Sequence, residues 1–136
     1  QAVLMGPVVD SRRRSVLRQA IALAVDSLGE TPSANAIVFT DYLRCGPKWY
    51  LTELPEMMAY PTDERITDVT VPVLVLRGTR DPIAGRVWSA VLAAKAPHGR
   101  MLELPGNHVV QQRLPGQVAD AIRSFVTDPL AVGGTP

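Results

Sequence analysis

The sequence lacks several features that mark particular classes of protein. It contains one cysteine, Cys45, which excludes an internal disulfide and fits a reducing cytoplasm. Its 14 basic and 13 acidic residues nearly cancel, so charge favours neither nucleic acid nor an anionic membrane as a partner. No apolar run reaches the roughly 20 residues that cross a bilayer. We therefore expect a cytoplasmic protein with no nucleic-acid or membrane partner.

Patterns typical of metal and nucleotide sites are missing as well. The two histidines, His98 and His108, have no thiol or carboxylate at the spacing of metal ligands, so no metal site is expected. No Gly-rich phosphate loop follows a strand pattern, which argues against a nucleotide-binding α/β protein. With 136 residues, the chain fits a single domain with a moderate core.

The strongest pattern that is present is a buried strand followed by a turn, from Val71 to Ile83, with the sequence VPVLVLRGTRDPI. An unbroken apolar run over 73–76 with a glycine soon after it is typical of a strand buried on both faces of a parallel sheet. Asp81 then lies in the loop beyond the carboxyl end of that strand, the edge where ligands bind in open α/β sheets. The alternative is that Asp81 only caps the following helix.

A second strand-and-turn pattern follows from Arg100 to Val110, with the sequence RMLELPGNHVV. It places His108 after the next strand, at the sheet edge where Asp81 is predicted. A carboxylate in that position holds an imidazole in one tautomer, while the other ring nitrogen takes a proton from a nucleophile. His98, in the turn before this strand, is interpreted as structural.

Together, VLVLRGTRDPI and LPGNHVV resemble the last two catalytic loops of the α/β-hydrolase fold, whose triad comes in the order nucleophile, acid, histidine. The resemblance implies that Asp81 is the acid and His108 the histidine of a cofactor-free hydrolase of small esters or related carbonyl substrates. VLMGPVV at residues 3–9 resembles the family's strand after the nucleophile helix. Because some members carry the acid at this earlier position, Asp10 is an alternative acid, although a turn or cap role also fits it.

The family's nucleophile motif is missing from the chain. No Gly-x-Ser-x-Gly occurs, and no Gly-x-Cys-x-Gly or Gly-x-Asp-x-Gly. The resemblance therefore implies the C-terminal half of a hydrolase, with the nucleophile and the oxyanion hole upstream of Gln1. We expect a truncated α/β-hydrolase fold of about three parallel strands flanked by helices, with a helical cap segment. The chain alone is then expected to be inactive. The alternative function is a truncated, non-catalytic binding or interaction module.

The expected organisation has four parts. Residues 1–14 form a core strand and loop, 15–62 a helical cap-like segment, 63–128 the rest of the core, and 129–136 a disordered tail.

The cap-like segment is predicted to contain three helices separated by glycine and proline, with Pro55 interrupting the third. Its periodic apolar residues are predicted to face a core. Trp49, Met57 and Met58 are candidates to line an apolar substrate pocket, and packing between cap and body is the alternative role for each.

The strand predicted from Ala2 to Met5 lies at the side of the sheet in this arrangement, so the backbone N–H and C=O groups along its outer side are unpaired. It carries no lysine and no inward charge that would discourage pairing with another chain. We therefore expect the chain to bind its N-terminal half or to associate with a second copy through this strand. A small-molecule substrate is expected for the full-length protein.

Overall fold

Three strands form one parallel sheet with the order β1-β2-β3. Their bounds are β1 (Ala2–Met5), β2 (Val73–Gly78) and β3 (Gly99–Leu104). The central strand places Leu76 in register with Met5 on one side and with Leu102 on the other. The expected α/β arrangement with three parallel strands is confirmed. This computed structural model describes residues 1–128, so the tail predicted for 129–136 lies outside the described residues.

Seven α-helices flank and connect the strands in the described part of the chain. Their bounds are α1 (Val16–Gly29), α2 (Pro32–Cys45), α3 (Pro47–Ala59), α4 (Thr62–Arg65), α5 (Arg86–Lys95), α6 (Val110–Arg113) and α7 (Pro115–Thr127). The helix starts follow sequence cues: the hydroxyl of Thr31 accepts the N–H of Ala34 at 3.2 Å, and prolines occupy the first turn of α2, α3 and α7. None of the described helices is long and apolar enough to cross a bilayer.

The core lies on both faces of β2, because all six residues of this strand are buried. Successive side chains of a strand point to opposite faces. Val75 accordingly belongs to a cluster with Trp88 of α5, whereas Leu76 belongs to a cluster with Val110 of α6 and Val118 of α7. The sheet is thus a layer between α5 on one side and α6 and α7 on the other. This packing fixes the carboxyl end of β2, where Asp81 follows.

Two predictions for the segment before β2 are wrong. Pro55 does not interrupt the third helix, because α3 continues through it. Pro55 is exposed, so water can satisfy the carbonyl group that loses its N–H partner there. The apolar residues of α1 and α2 also do not all face a core: Leu17 is 70% exposed and Leu28 is 90% exposed. Both faces of β2 are already covered by α5, α6 and α7, which leaves α1 and α2 little sheet surface to pack on.

Candidate active site

The turn that follows β2 sets the position of the Asp81 side chain. Its carboxylate is buried, and its Oδ1 accepts hydrogen bonds from the backbone N–H groups of Ile83 and Ala84, both at 2.8 Å. These bonds close a local turn, and α5 begins only later, with Gly85 as its N-cap. Asp81 therefore does not cap α5, and its second oxygen, Oδ2, is available to another partner.

That partner is the imidazole of His108, whose Nδ1 lies 2.9 Å from Oδ2 of Asp81. An ionised carboxylate only accepts hydrogen bonds, so Nδ1 carries the proton and donates it. Nε2 then holds the lone pair of the neutral ring, and no residue in the described range forms a hydrogen bond with it. The structure thus brings together the two residues that the sequence singled out.

The environment moves the pKa values of the two groups apart. Burial alone lowers the pKa of His108, but the hydrogen bond and charge of Asp81, with the charges of Asp26 and Glu30, outweigh burial and raise that pKa. Burial alone raises the pKa of Asp81, but the hydrogen bond and charge of His108 and two backbone N–H groups lower it overall. The site therefore stabilises an imidazolium that faces an ionised carboxylate.

A buried cation supports the loop of Asp81. Arg77, in β2, is 3% exposed, and its guanidinium donates to the carbonyl of Asp81 at 3.0 Å and to that of Ala84 at 2.7 Å. It also pairs with the carboxylate of Glu103 on β3, which binds Arg86 of α5 at 3.1 Å as well. Arg77 therefore joins the Asp81 loop to the neighbouring strand and holds the backbone of Asp81 in position.

The end of α1 holds the loop of His108. Asp26 is buried, and its Oδ1 accepts the backbone N–H of His108 at 2.9 Å. Glu30, which follows α1 as its C-cap, accepts the N–H of Val109 at 3.2 Å. Burial raises the pKa of Asp26, although the hydrogen bond from His108 opposes this rise. These two carboxylates fix the backbone of the histidine loop rather than its ring.

Two glycines allow the chain segments to approach this closely. Gly6 follows β1 with a φ of +54°, and a Cβ atom there would lie 2.7 Å from Cε1 of His108. Gly78 ends β2, and a Cβ atom there would lie 2.1 Å from the backbone oxygen of Asn107. A side chain at either position would displace the imidazole ring or the loop that carries it.

Asp10, the alternative acid, is separate from this pair. Its carboxylate accepts the backbone N–H of Arg12 at 3.0 Å and caps a short 3-10 turn. Asp10 also lines a cavity of about 360 Å³, together with residues of α1 and with Pro82, which directly follows Asp81. The imidazole of His108 is bonded to Asp81, and Asp10 has the turn role that the sequence also allowed.

The three residues predicted to line a substrate pocket, Trp49, Met57 and Met58, all lie in α3. Trp49 lines a second cavity of about 360 Å³ between α2 and α3. Met57 and Met58 are among the lining residues of neither cavity. The two cavities share no lining residue, so Trp49 does not line the space beside Asp81.

The second histidine lies away from the site. His98 is exposed and directly precedes β3, so it lies at the amino end of this strand, whereas His108 follows its carboxyl end. Within residues 1–128, no three His, Cys, Asp or Glu side chains form a group that could hold a metal ion.

Sequence reasoning missed two residues that support the pair. Arg77 directly follows the apolar run of a strand buried on both faces, so its charge needs a partner, and Glu103 in the next strand supplies one. Asp26 is the only charged residue between Arg18 and Glu30 in an otherwise apolar helix. A lone acid in such a helix is a signal of a buried, hydrogen-bonded carboxylate.

Comparison with solved structures identifies the class of fold. The chain is similar to the crystal structure of a protein named non-heme bromoperoxidase BpoC from Mycobacterium tuberculosis H37Rv, with a TM-score of 0.58 and 20% sequence identity. The similarity covers 93% of this chain and 57% of that chain. At this identity the likeness shows the fold alone, and the fold is α/β-hydrolase-like.

Two curated relatives are uncharacterized proteins of Mycobacterium tuberculosis, one from strain CDC 1551 / Oshkosh and one from strain ATCC 25618 / H37Rv. Each is 40% identical to this chain over 77 residues, which cover 54% of this chain and 27% of the relative. The match thus spans about a quarter of the length of these relatives. No family model matches the chain.

Proposed function

We propose that this chain supplies the acid, Asp81, and the histidine, His108, of a nucleophile–acid–histidine site in a cofactor-free α/β hydrolase. The observation that carries the proposal is the 2.9 Å contact between a buried carboxylate and Nδ1 of an imidazole whose Nε2 is free to accept a proton. The substrates are small esters or related carbonyl compounds. The assignment is supported by the α/β-hydrolase-like fold and by the position of both residues in loops that follow the carboxyl ends of β2 and β3.

In this proposal the nucleophile belongs to a part of the protein outside the 136 residues. Nε2 of His108 accepts the proton of the nucleophile as the nucleophile adds to the carbonyl carbon, and Asp81 stabilises the imidazolium that forms. The same proton then passes to the leaving group, and water releases the acyl group in a second, equivalent cycle. The raised pKa of His108 and the lowered pKa of Asp81 both fit a base that is charged in the intermediate.

Two further observations support a nucleophile located elsewhere in the protein. The chain contains no nucleophile motif of the Gly-x-Ser-x-Gly type. Both the solved structure and the curated relatives are longer than the part that this chain matches. The oxyanion hole is assigned to the same missing part.

The segment from 15 to 62 acts in this proposal as a cap over the site. The cavity lined by residues of α1 and by Pro82 lies directly beside the Asp81 loop. Its volume of about 360 Å³ is near the lower end of the range for small-molecule sites. We place the protein in the cytoplasm as part of the proposal, because Cys45 is an exposed free thiol.

The first test uses the purified chain alone with p-nitrophenyl acetate. We expect no turnover above background, since catalysis that survives the loss of a triad member depends on an oxyanion hole, and the proposal assigns the oxyanion hole to a part of the protein outside these residues. A His108→Ala variant is the matched control. Turnover that disappears in this control would show that a nucleophile lies within the 136 residues.

The second test uses the product of the longest reading frame that contains these residues. We expect a fluorophosphonate to label one nucleophile upstream of Gln1, and Asp81→Asn or His108→Gln to lower kcat/KM by about 10³-fold or more. His98→Gln is the control and should change kcat/KM by no more than about threefold.

Other outcomes of this second test reassign the site. Loss of activity in Asp10→Asn but not in Asp81→Asn would move the acid role to Asp10. A product with neither a labelled nucleophile nor esterase activity would favour the non-catalytic interaction module instead.

A further inference from the structure

The cavity between α2 and α3 has walls that the proposed hydrolase site does not use. Three aromatic residues line it, namely Tyr42, Trp49 and Tyr50. Two carboxylates, Asp41 and Glu53, line it as well.

The two tyrosine rings form a corner of this cavity. The ring centroids of Tyr42 and Tyr50 are 5.1 Å apart, and the ring planes meet at 88°. In this edge-to-face contact the edge of one ring covers one face of the other, and each ring face that remains open carries the negative part of the ring quadrupole. Trp49, which is 60% exposed, adds the ring type that attracts cations most strongly.

The charges of the lining point to the same kind of ligand. Asp41 and Glu53 are both acidic, and no lysine or arginine is among the described residues that line the cavity. The lining therefore contains no positive charge that could pair with these carboxylates, and a cation entering the cavity meets two negative charges. An anion would meet repulsion from both carboxylates.

The size and the chemistry of the walls select among cations. The cavity volume is about 360 Å³, within the ~300–1,000 Å³ range of small-molecule sites. Small hard metal ions prefer several oxygen ligands, and within residues 1–128 no three His, Cys, Asp or Glu side chains form a group that could hold such an ion. Ring faces instead attract large, weakly hydrated cations such as methylated ammonium groups.

We propose that the cavity between α2 and α3 binds a small organic cation of the methylated or quaternary ammonium class. The cation contacts the rings of Tyr42, Tyr50 and Trp49, and the carboxylates of Asp41 and Glu53 balance its charge. The site is distinct from the Asp81–His108 pair, because it shares no lining residue with the cavity beside Asp81. Its test does not depend on hydrolase activity.

The experiment compares choline with 3,3-dimethylbutan-1-ol, a neutral molecule of the same shape, by calorimetry and by amide chemical shifts of the full chain. We expect choline to bind with a millimolar Kd and to shift the amides of α2 and α3. The neutral molecule should bind at least about tenfold more weakly, because it lacks the charge that the rings and carboxylates recognise. Equal binding of both molecules, or no binding of choline, would overturn the proposal.

Variants locate the binding in the cavity. Trp49→Leu should weaken choline binding by about two- to tenfold, and the double change Asp41→Asn and Glu53→Gln should weaken it by a similar or larger factor. Both changes affect solvent-facing side chains, and circular dichroism checks that the helices persist. Phe39→Leu is the matched control, because Phe39 is an exposed aromatic residue of α2 that is not among the lining residues. Equal losses in Trp49→Leu and Phe39→Leu would also contradict the assigned site.

Discussion

At the scale of single residues, the Asp81 carboxylate divides its two oxygens between two tasks. Oδ1 accepts the backbone N–H groups that close its own turn, and Oδ2 receives the imidazole of His108. The turn therefore fixes the orientation of the carboxylate independently of His108. Such a fixed acceptor holds the imidazole in one tautomer, as a general base requires.

The first prediction concerns how stability depends on pH. The pKa of His108 is raised in the folded state, so its contribution is fully present below roughly pH 6.5 and is lost as pH rises through the folded pKa. The pKa of Asp81 is lowered, so its contribution is present above roughly pH 4 and is lost as pH falls through the folded pKa. The pair therefore stabilises the fold most between these two values.

Urea unfolding of the wild type and of His108→Gln measures this effect. We expect the difference in unfolding free energy to be largest between roughly pH 4 and 6.5 and to shrink at higher pH. Asp26 also has a shifted pKa, but it is present in both proteins and largely cancels in the difference. A difference that does not vary with pH would contradict the charged contact.

The second prediction concerns Arg77, which we interpret as a positioning residue for Asp81. Its replacement in Arg77→Met removes the buried one of the two guanidinium partners of Glu103 and leaves two loop carbonyl groups without their donor, so we expect a loss of about 3 kcal/mol of unfolding free energy. Arg86→Met is the control, because Arg86 binds the same Glu103 from an exposed position. It should cost about 0–1 kcal/mol.

A second readout separates positioning from simple destabilisation. In Arg77→Lys, which keeps the charge but not the fork of donors, the Asp81 loop loses one or more of its bonds. The pKa of His108, measured from its ring-proton chemical shifts, should then fall relative to the wild type. An unchanged pKa in a folded Arg77→Lys variant would show that Arg77 does not orient Asp81.

At this scale the sequence indicates the Asp81–His108 pair better than the residues that support it. Asp81 and His108 were predictable because each follows a strand pattern, and strand ends of a parallel sheet meet at one edge. The bond between Asp26 and the His108 amide joins residues 82 positions apart, and only the folded path of α1 brings them together. The Arg77 contacts likewise depend on the exact course of the loop after β2.

At the scale of secondary-structure elements, the path of β2 into its loop depends on a very small residue. Gly78 faces the backbone oxygens of Gly106 and Asn107, which would lie 2.5 Å and 2.1 Å from an added Cβ atom. Backbone atoms cannot rotate away as a side chain does. The end of β2 and the histidine loop are therefore in contact through the main chain itself.

The third prediction follows from this contact. Gly78→Ala should lower the unfolding free energy by about 1–3 kcal/mol, because the two segments must separate to admit a methyl group. The matched control is Gly116→Ala in α7, where an added Cβ atom meets nothing within 4 Å. That control should be neutral or stabilising by up to ~1 kcal/mol. Equal effects of the two changes in urea unfolding would contradict the close approach.

Strands and their order were more predictable than the helices before them. The runs that became β2 and β3 are short, mostly apolar and bounded by turn residues, so their patterns have few alternatives. In the helical segment, the spacing of the apolar residues predicted the helices but did not show which face of each helix is buried. Val25 of α1 is exposed although it belongs to the apolar face, because burial depends on which surfaces the sheet still leaves uncovered.

At the scale of the whole molecule, β1 is an edge strand in the described chain. It pairs with β2 on one side only, and its residue Met5 is 45% exposed. Unpaired backbone groups along such an edge are a template for another strand. We propose that the chain associates through β1, either with a second copy or with an N-terminal part of the same protein.

The fourth prediction tests this association by sedimentation velocity at micromolar concentration. The wild type should sediment partly as dimers or larger species, and Val3→Lys in β1 should shift it towards the monomer, because an edge lysine opposes strand pairing. Val87→Lys on the exposed side of α5 is the control and should leave the distribution unchanged. A wild type that is entirely monomeric would contradict association with a second copy and leave the N-terminal part of the protein as the proposed partner.

The bond between Asp26 and the amide of His108 has a consequence for recombination between related proteins. The acceptor lies in the segment from 15 to 62, while the histidine lies in the core, so each part depends on the other for this bond. A chimera that exchanges the helical segment for that of a relative inherits the donor without its acceptor unless an acid is retained at position 26. An exchange limited to the residues from Pro32 to 62 keeps both carboxylates in the same parent chain as the histidine and preserves this linkage.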